Sequence, residues 1–132
     1  MVLIDTSVLI DFFRGKKSKP SEQFRDILVN NIPFGITSFI YQELLQGAKT
    51  QKEFNKLKMY LETQKFYMPQ NIPQPYEETA LIFFELRKRG ITVKNTIDCL
   101  IVQIALEHNL FLLHNDRDFD KFSKVVDIKI YK

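Results

Sequence analysis

Short apolar runs alternate along this chain with longer stretches of helical period. Val2 to Asp5 reads as a short strand ending on an acid, and Ser7 to Arg14 as a helix stopped by Gly15. Lys16 to Pro20 is a basic loop, after which Ser21 caps a helix with Phe24, Ile27 and Leu28 on one face. A second strand, Phe34 to Ile36, leads to a helix from Phe39 to Gly47 capped by Thr37 or Ser38. The next helix, about Thr50 to Thr63, carries Phe54, Leu57, Tyr60 and Leu61 at helical spacing. Phe66 to Met68 reads as a third strand, with Pro69, Pro73 and Pro75 marking the loop beyond it. A long helix from about Tyr76 to Arg89 ends at Gly90.

Asn95 or Thr96 opens a further helix that runs to about His108. It is apolar nearly all round, at Leu100, Ile101, Val102, Ile104, Ala105 and Leu106, which marks a buried helix. Leu110 to Leu113 is a fourth strand, Asp118 to Phe122 a helical turn, and Val126 to Ile130 a final strand. This alternation predicts an α/β layer fold around a mainly parallel sheet. Such sheets bind ligands at the carboxyl ends of their strands, near the point where strand order reverses. No repeat, low-complexity tract or linker interrupts the 132 residues, so one domain over 1–132 is expected.

Composition narrows the setting. Hydrophobic residues make up 45% of the chain and include 12 Phe, enough for a core without disulfides. Cys99 is the only cysteine and stands beside Leu100, Ile101 and Val102, so it reads as a small buried hydrophobe in a reducing compartment. The start, Met1-Val2-Leu3-Ile4-Asp5, lacks the basic and long apolar regions of a secretory signal. Nor does any stretch approach the ~18 apolar residues of a membrane span. A cytoplasmic protein without a membrane partner is expected. The net charge of +3 does not by itself point to nucleic acid. Basic residues do cluster at Lys16, Lys17 and Lys19, and at Arg87, Lys88, Arg89 and Lys94. They suit either a helix end, where the dipole favours cations, or a phosphate contact.

Four acids stand out by position. Asp5 closes an apolar strand and also reads as a helix cap. Glu43 sits mid-helix between Phe39 and Gly47, towards the apolar side, where a lone carboxylate is costly to bury. Its alternative is a place at the edge of the stripe, reaching water. Asp98 lies in the first turn of the most apolar helix, where it suits a box-like cap with Asn95 yet heads the line Ile101, Val102, Ala105. Asp116 follows the fourth strand in a turn that also holds Asn115 and Asp118. Carboxylates gathered from four elements repel one another and call for a cation. Hard ions such as Mg²⁺ or Mn²⁺ accept carboxylate, water and phosphate oxygens, and they activate water for phosphodiester cleavage.

The stretches Leu3-Ile-Asp-Thr-Ser-Val-Leu-Ile-Asp11, Tyr41-Gln-Glu-Leu-Leu-Gln-Gly47, Thr96-Ile-Asp-Cys-Leu-Ile-Val-Gln-Ile-Ala105 and Leu113-His-Asn-Asp-Arg-Asp-Phe119 occur in that order over the whole chain. Together they resemble the PIN domain, and more narrowly the VapC-type ribonuclease toxins of VapBC toxin–antitoxin pairs. The resemblance implies a three-layer α/β/α sandwich with a short, mainly parallel central sheet, and a Mg²⁺- or Mn²⁺-dependent endoribonuclease. Carried onto this sequence, it makes Asp5, Glu43, Asp98 and Asp116 the catalytic acids. Asp5, Asp98 and Asp116 would hold the metal, Asp118 is a further ligand candidate, and Thr6, Ser7 and Asn115 would support the ligands. It also implies an RNA substrate, a VapB-type antitoxin peptide lying over the groove, and a homodimer. The aromatics Phe12, Phe13, Phe39 and Tyr41 suit either that groove or the core. Lys94, just ahead of Asp98, together with Lys16 and Lys17, would meet RNA phosphates. His114, at the strand end, reads as a surface or structural histidine.

Three alternatives compete. A haloacid-dehalogenase-type phosphatase also places an Asp after its first strand, but needs a second acid where this chain has Ser7. A PIN-like RNA-binding module without catalysis would have lost one of the acids, and all are present. A DNA-directed metal nuclease would use the same metal chemistry.

Overall fold

The computed structural model describes residues 1–132. Five strands form one parallel sheet: β1 (Val2–Ile4), β2 (Phe34–Ile36), β3 (Lys65–Phe66), β4 (Phe111–Leu113) and β5 (Lys129–Ile130), in the order β3-β2-β1-β4-β5. Val2, Leu3 and Ile4 are all buried, as an apolar strand at the centre of a sheet covered on both faces must be. Leu3 pairs with Gly35 on one side and Leu112 on the other. The Asp5 N–H donates to the Leu113 carbonyl at 3.0 Å, which carries the β1–β4 ladder up to the first acid.

Seven helices connect the strands: α1 (Thr6–Phe13), α2 (Lys19–Val29), α3 (Ser38–Gln46), α4 (Gln51–Leu61), α5 (Gln74–Lys88), α6 (Thr96–Glu107) and α7 (Asp118–Phe122). The chain steps outward from β1 to β2 to β3, then returns past β1 to β4 and on to β5. Right-handed crossovers in opposite directions put α1–α4 on one face and α5–α7 on the other. Helix packing follows that division: α1 touches α2 and α3, α3 touches α4, α5 touches α6, and α6 touches α7. The result is the parallel-sheet layer fold that the alternation predicts, in the three layers that the resemblance implies. Its reversal point lies between β1 and β4, so the crevice beyond their carboxyl ends is the place for a ligand.

The core is one cluster of 27 buried residues. Helix α6 contributes Cys99, Leu100, Ile101, Val102, Ile104 and Ala105, as its all-round apolar pattern predicts. Gly15 (φ 70°) and Gly90 (φ 74°) end α1 and α5 in the left-handed region that glycine enters most readily. Gly35 has a different reason. A Cβ there would lie 2.5 Å from Cε2 of Tyr67 and 2.6 Å from the Lys65 carbonyl, because the Tyr67 ring crosses directly over β2.

Several boundaries depart from the sequence reading. Ser18, not Ser21, caps α2; Ser21 is its reciprocal partner three residues in, and Pro20 lies inside the first turn, so the basic loop is shorter than expected. Pro75 is likewise in the first turn of α5 and is not part of a loop. The third strand is Lys65–Phe66, where it can pair with Gly35 and Ile36, and the last is only Lys129–Ile130, bounded by the two residues of β4 it can reach. No helix is long and apolar enough to cross a membrane.

Candidate active site

Two of the acids, Asp5 and Asp116, follow strands at the carboxyl end of the sheet, and the other two come from helices. Asp5 follows β1 directly and is 5% exposed. It caps α1: Oδ2 accepts the Ser7 N–H at 3.0 Å and the Ser7 hydroxyl at 2.6 Å. The capping reading and the site reading of Asp5 are therefore both true of one carboxylate. Burial raises its pKa, and the Ser7 and Thr6 donors together with the field of His114 work against that rise.

Glu43 comes from α3, which Thr37 starts at the end of β2 by accepting the Ile40 N–H at 3.1 Å. Glu43 is half-buried, and its Oε1 accepts the Thr6 hydroxyl at 3.1 Å across 37 residues of sequence. Burial first, then the Asp5 charge, lifts its carboxyl above the ordinary range, with the Thr6 bond opposing.

Asp116 follows β4. Its Oδ1 accepts the Asp118 N–H at 3.0 Å, while its own N–H donates to Nδ1 of His114 at 3.2 Å. His114 thus accepts at Nδ1 and holds the turn, with its ring tilted against Phe119.

Asp98 enters from the opposite layer, on the first turn of α6. The expected cap box is not formed: Asn95 accepts the Ile97 N–H, and no protein donor answers the Asp98 carboxylate. That carboxyl is pushed up to about 7, by burial first and then by the charges of Asp5, Asp116, Glu43 and Asp118 in that order. The fold therefore brings all four sequence-predicted acids into one mutual field. No three of them close into a tight ligand set around a bare ion.

Asp118 is in a different position. It is buried, its Oδ1 pairs with Nζ of Lys121 at 3.0 Å, and its Oδ2 receives the Lys94 N–H at 3.4 Å. The Lys121 bond holds its carboxyl below the usual range. Lys121 also donates to the Thr92 carbonyl at 2.9 Å, so the trio ties α7 to the segment ahead of α6. Lys94, Lys16 and Lys17 are exposed, Lys94 beside this edge and the other two on the α1–α2 loop.

Ser7 bonds Asp5 and Thr6 bonds Glu43, and Asn115 donates its backbone N–H to the Ser7 hydroxyl at 2.9 Å. Sequence reasoning passed over Asp11 and Lys121, which the structure places next to them. For Asp11 a signal existed: it lies four residues after Ser7, on the same face of α1.

A cleft of about 300 Å³ opens beside Glu43 between α1, α3 and α4, with Ile10, Phe13, Leu44 and Leu57 as apolar walls and Arg14 and Lys56 at its rim. Of the four aromatics proposed for a groove, Phe13 lines this cleft, while Phe12 packs edge-on against Phe24 and Tyr41 against Phe66. On the other face, Tyr76, Leu81 and Phe84 of α5 are exposed beside a wider hollow of about 830 Å³.

The α/β/α fold is matched by known proteins. The PIN domain family profile matches residues 2–125, and the chain belongs to that family. It is 27% identical over 133 aligned residues to Ribonuclease VapC11 of Mycobacterium tuberculosis, covering 98% of this chain and 96% of that protein. The fold is similar to that in the VapBC-1 structure from nontypeable Haemophilus influenzae, with a TM-score of 0.75, 18% identity and coverage of 100% and 98% of the two chains. A toxin–antitoxin complex from Klebsiella pneumoniae gives a TM-score of 0.66 at 24% identity, covering 99% and 100%.

Proposed function

We propose that this chain is a metal-dependent endoribonuclease, the toxin component of a type II toxin–antitoxin pair. The observation that carries the reading is the environment of Asp98, a carboxylate without a protein donor in the field of Asp5, Asp116 and Glu43. An all-oxygen donor set with room for water suits Mg²⁺ or Mn²⁺ over softer metals. When bound, such an ion supplies positive charge to the phosphodiester and acidifies the attacking water.

The chain's own residues have distinct tasks. Asp5, held through Oδ2 by Ser7, and Asp98 and Asp116 provide the ligand oxygens. Glu43, fixed at Oε1 by Thr6, keeps Oε2 free to orient the attacking water and take its proton; its raised pKa suits a general base. Asp118, already paired with Lys121, is assigned to holding the Lys94 segment beside the site and not to the ion. Lys94 meets an RNA phosphate, with Lys16 and Lys17 further along the strand. Lys94→Ala should weaken RNA binding and reduce the slope of affinity against salt by about 1; an unchanged slope removes Lys94 from the interface.

The partners follow from the two apolar surfaces. The cleft beside Glu43 suits an antitoxin segment whose apolar side chains meet Phe13 and Leu57 and whose basic group approaches the acids. The exposed α5 face suits a second copy of the chain. Names of the relatives support the toxin reading: one is a VapC ribonuclease, and one structural neighbour is a toxin–antitoxin complex.

The test is cleavage by the antitoxin-free protein, given total RNA or single- and double-stranded DNA in Mg²⁺, Mn²⁺ or EDTA. Discrete RNA fragments that need metal establish the activity and identify the target. Cut DNA with intact RNA assigns a DNA nuclease, and intact substrates from folded, metal-loaded protein assign a binding module.

A further inference from the structure

Asp11 is no member of the quartet, yet its carboxylate faces the same edge of the sheet. It is half-buried near the end of α1, and Oδ2 accepts two hydrogen bonds: the Asn115 side-chain amide at 2.7 Å and the Ser18 hydroxyl at 3.3 Å. Asn115 lies 104 positions away, on the loop between β4 and α7. Its backbone N–H donates to the Ser7 hydroxyl at 2.9 Å, and that hydroxyl donates onward to Oδ2 of Asp5 at 2.6 Å. Asn115 thus touches α1 twice, one turn apart, and the residue after it is Asp116.

The physical need for such a contact is plain. Asp5 and Asp116 both add to the negative field at Asp98, and like charges on two different segments push those segments apart. The backbone bond to Ser7 fixes one point of the loop, which leaves it free to pivot. A second bond, to Asp11, stops the pivot. An amide donating to a carboxylate makes a charge-assisted bond, stronger than one between neutral groups. A carboxylate is acceptor-only, which also settles the orientation of the Asn115 amide.

We propose that Asp11 is a positioning residue of the site: by clamping Asn115 it fixes the loop that carries Asp116 against Asp5 and so sets the spacing of two ligand carboxylates. The proposal rests on the reading of Asp5 and Asp116 as metal-holding residues. Asp11 itself touches neither metal nor substrate; it acts through Asn115 and Ser7.

The test is Mn²⁺ titration calorimetry on the full antitoxin-free chain, with folding followed by thermal unfolding. Asp11→Ala and Asn115→Asp should each weaken Mn²⁺ binding about 10- to 100-fold, the range seen when groups that orient metal ligands are removed. Asn115→Asp sets two carboxylates face to face. Adding Asp11→Asn exchanges the amide and the carboxylate, re-forms the bond in the reverse direction, and should recover most of the lost affinity. Ser18→Ala removes the α2 cap and the longer of the two bonds to Asp11 but keeps the Asn115 clamp, and should lower Tm while leaving Mn²⁺ affinity unchanged.

Wild-type Mn²⁺ affinity in folded Asp11→Ala overturns the proposal. So does an exchanged pair that binds no more tightly than Asn115→Asp alone. If the wild-type chain binds no Mn²⁺, the metal reading fails, and amide hydrogen exchange in the metal-free protein decides the clamp. Faster exchange of the Asn115 N–H in Asp11→Ala supports it, and equal exchange overturns it.

Discussion

A carboxylate that folding drives toward its neutral form links the site to the stability of the whole chain. Asp98 has its pKa raised from an ordinary 3.8 to about 7 by burial and by four neighbouring acids. Its contribution to stability is therefore fully present below pH 3.8 and is lost as pH rises through about 7. Metal-free protein should lose Tm between about pH 4 and 7 on this account, Asp98→Asn should flatten that slope, and Mn²⁺ should restore stability at the upper end. A Tm that rises across this window in the wild type and falls in Asp98→Asn would contradict it. The same residue shows what a sequence can disclose at this scale. Each acid had an ordinary explanation taken singly, and for Asp5 the ordinary explanation is also correct, since it caps α1. It was the set of four, in order, that pointed to one place. Asp11 left only its place on the Ser7 face of α1, since its partner Asn115 is 104 residues away, and Lys121 left only its i,i+3 spacing to Asp118, since its other bond is to the distant Thr92 carbonyl.

Elements of this fold are placed by a few specific contacts, and the shortest are the least legible. The helices were readable from apolar spacing and from their glycine stops, because a helix is defined by its own residues. The edge strands β3 and β5 are two residues each, and their limits are set by what Gly35, Ile36, Phe111 and Leu112 offer for pairing. Propensity favoured Phe66 to Met68 and Val126 to Ile130; pairing decided otherwise. For α2, Ser21 carried the right chemistry but served as the inner partner of the Ser18 cap. Gly35 is the most exposed point of this logic to mutation. Gly35→Ala would drive a methyl group into the Tyr67 ring and the Lys65 carbonyl. Overpacking of this kind costs about 1–3 kcal/mol, to be read from the urea midpoint at unchanged m. A midpoint equal to wild type would mean that Tyr67 yields freely.

At the scale of the whole molecule, two opposed crossover directions produce both the layers and the crevice. Leaving β1 one way and β4 the other opens the sheet edge where Asp5 and Asp116 emerge, and the turn back brings α6 with Asp98 over the same point. The alternation of strands and helices made this architecture legible; the strand order was not, since nothing in a local apolar run says which neighbour it will choose. The apolar face left on α5 makes an assembly prediction. Phe84→Glu, or Leu81→Glu, should convert a dimer to a monomer in light scattering without loss of fold, because either places a charge at an exposed apolar position. A dimer that survives both changes has its interface elsewhere.

If four carboxylates act as one centre for RNA hydrolysis, single-turnover cleavage of one RNA at saturating Mn²⁺ depends on every one of them. Asp5→Asn, Glu43→Gln, Asp98→Asn and Asp116→Asn, each verified as folded, should lower the rate by about 100-fold or more, at or beyond the upper end for groups that only orient ligands. Asp120→Asn, on the exposed side of α7, should stay within about 10-fold of wild type, short of that same range. Cleavage at the wild-type rate by the folded quartet variants would contradict the account.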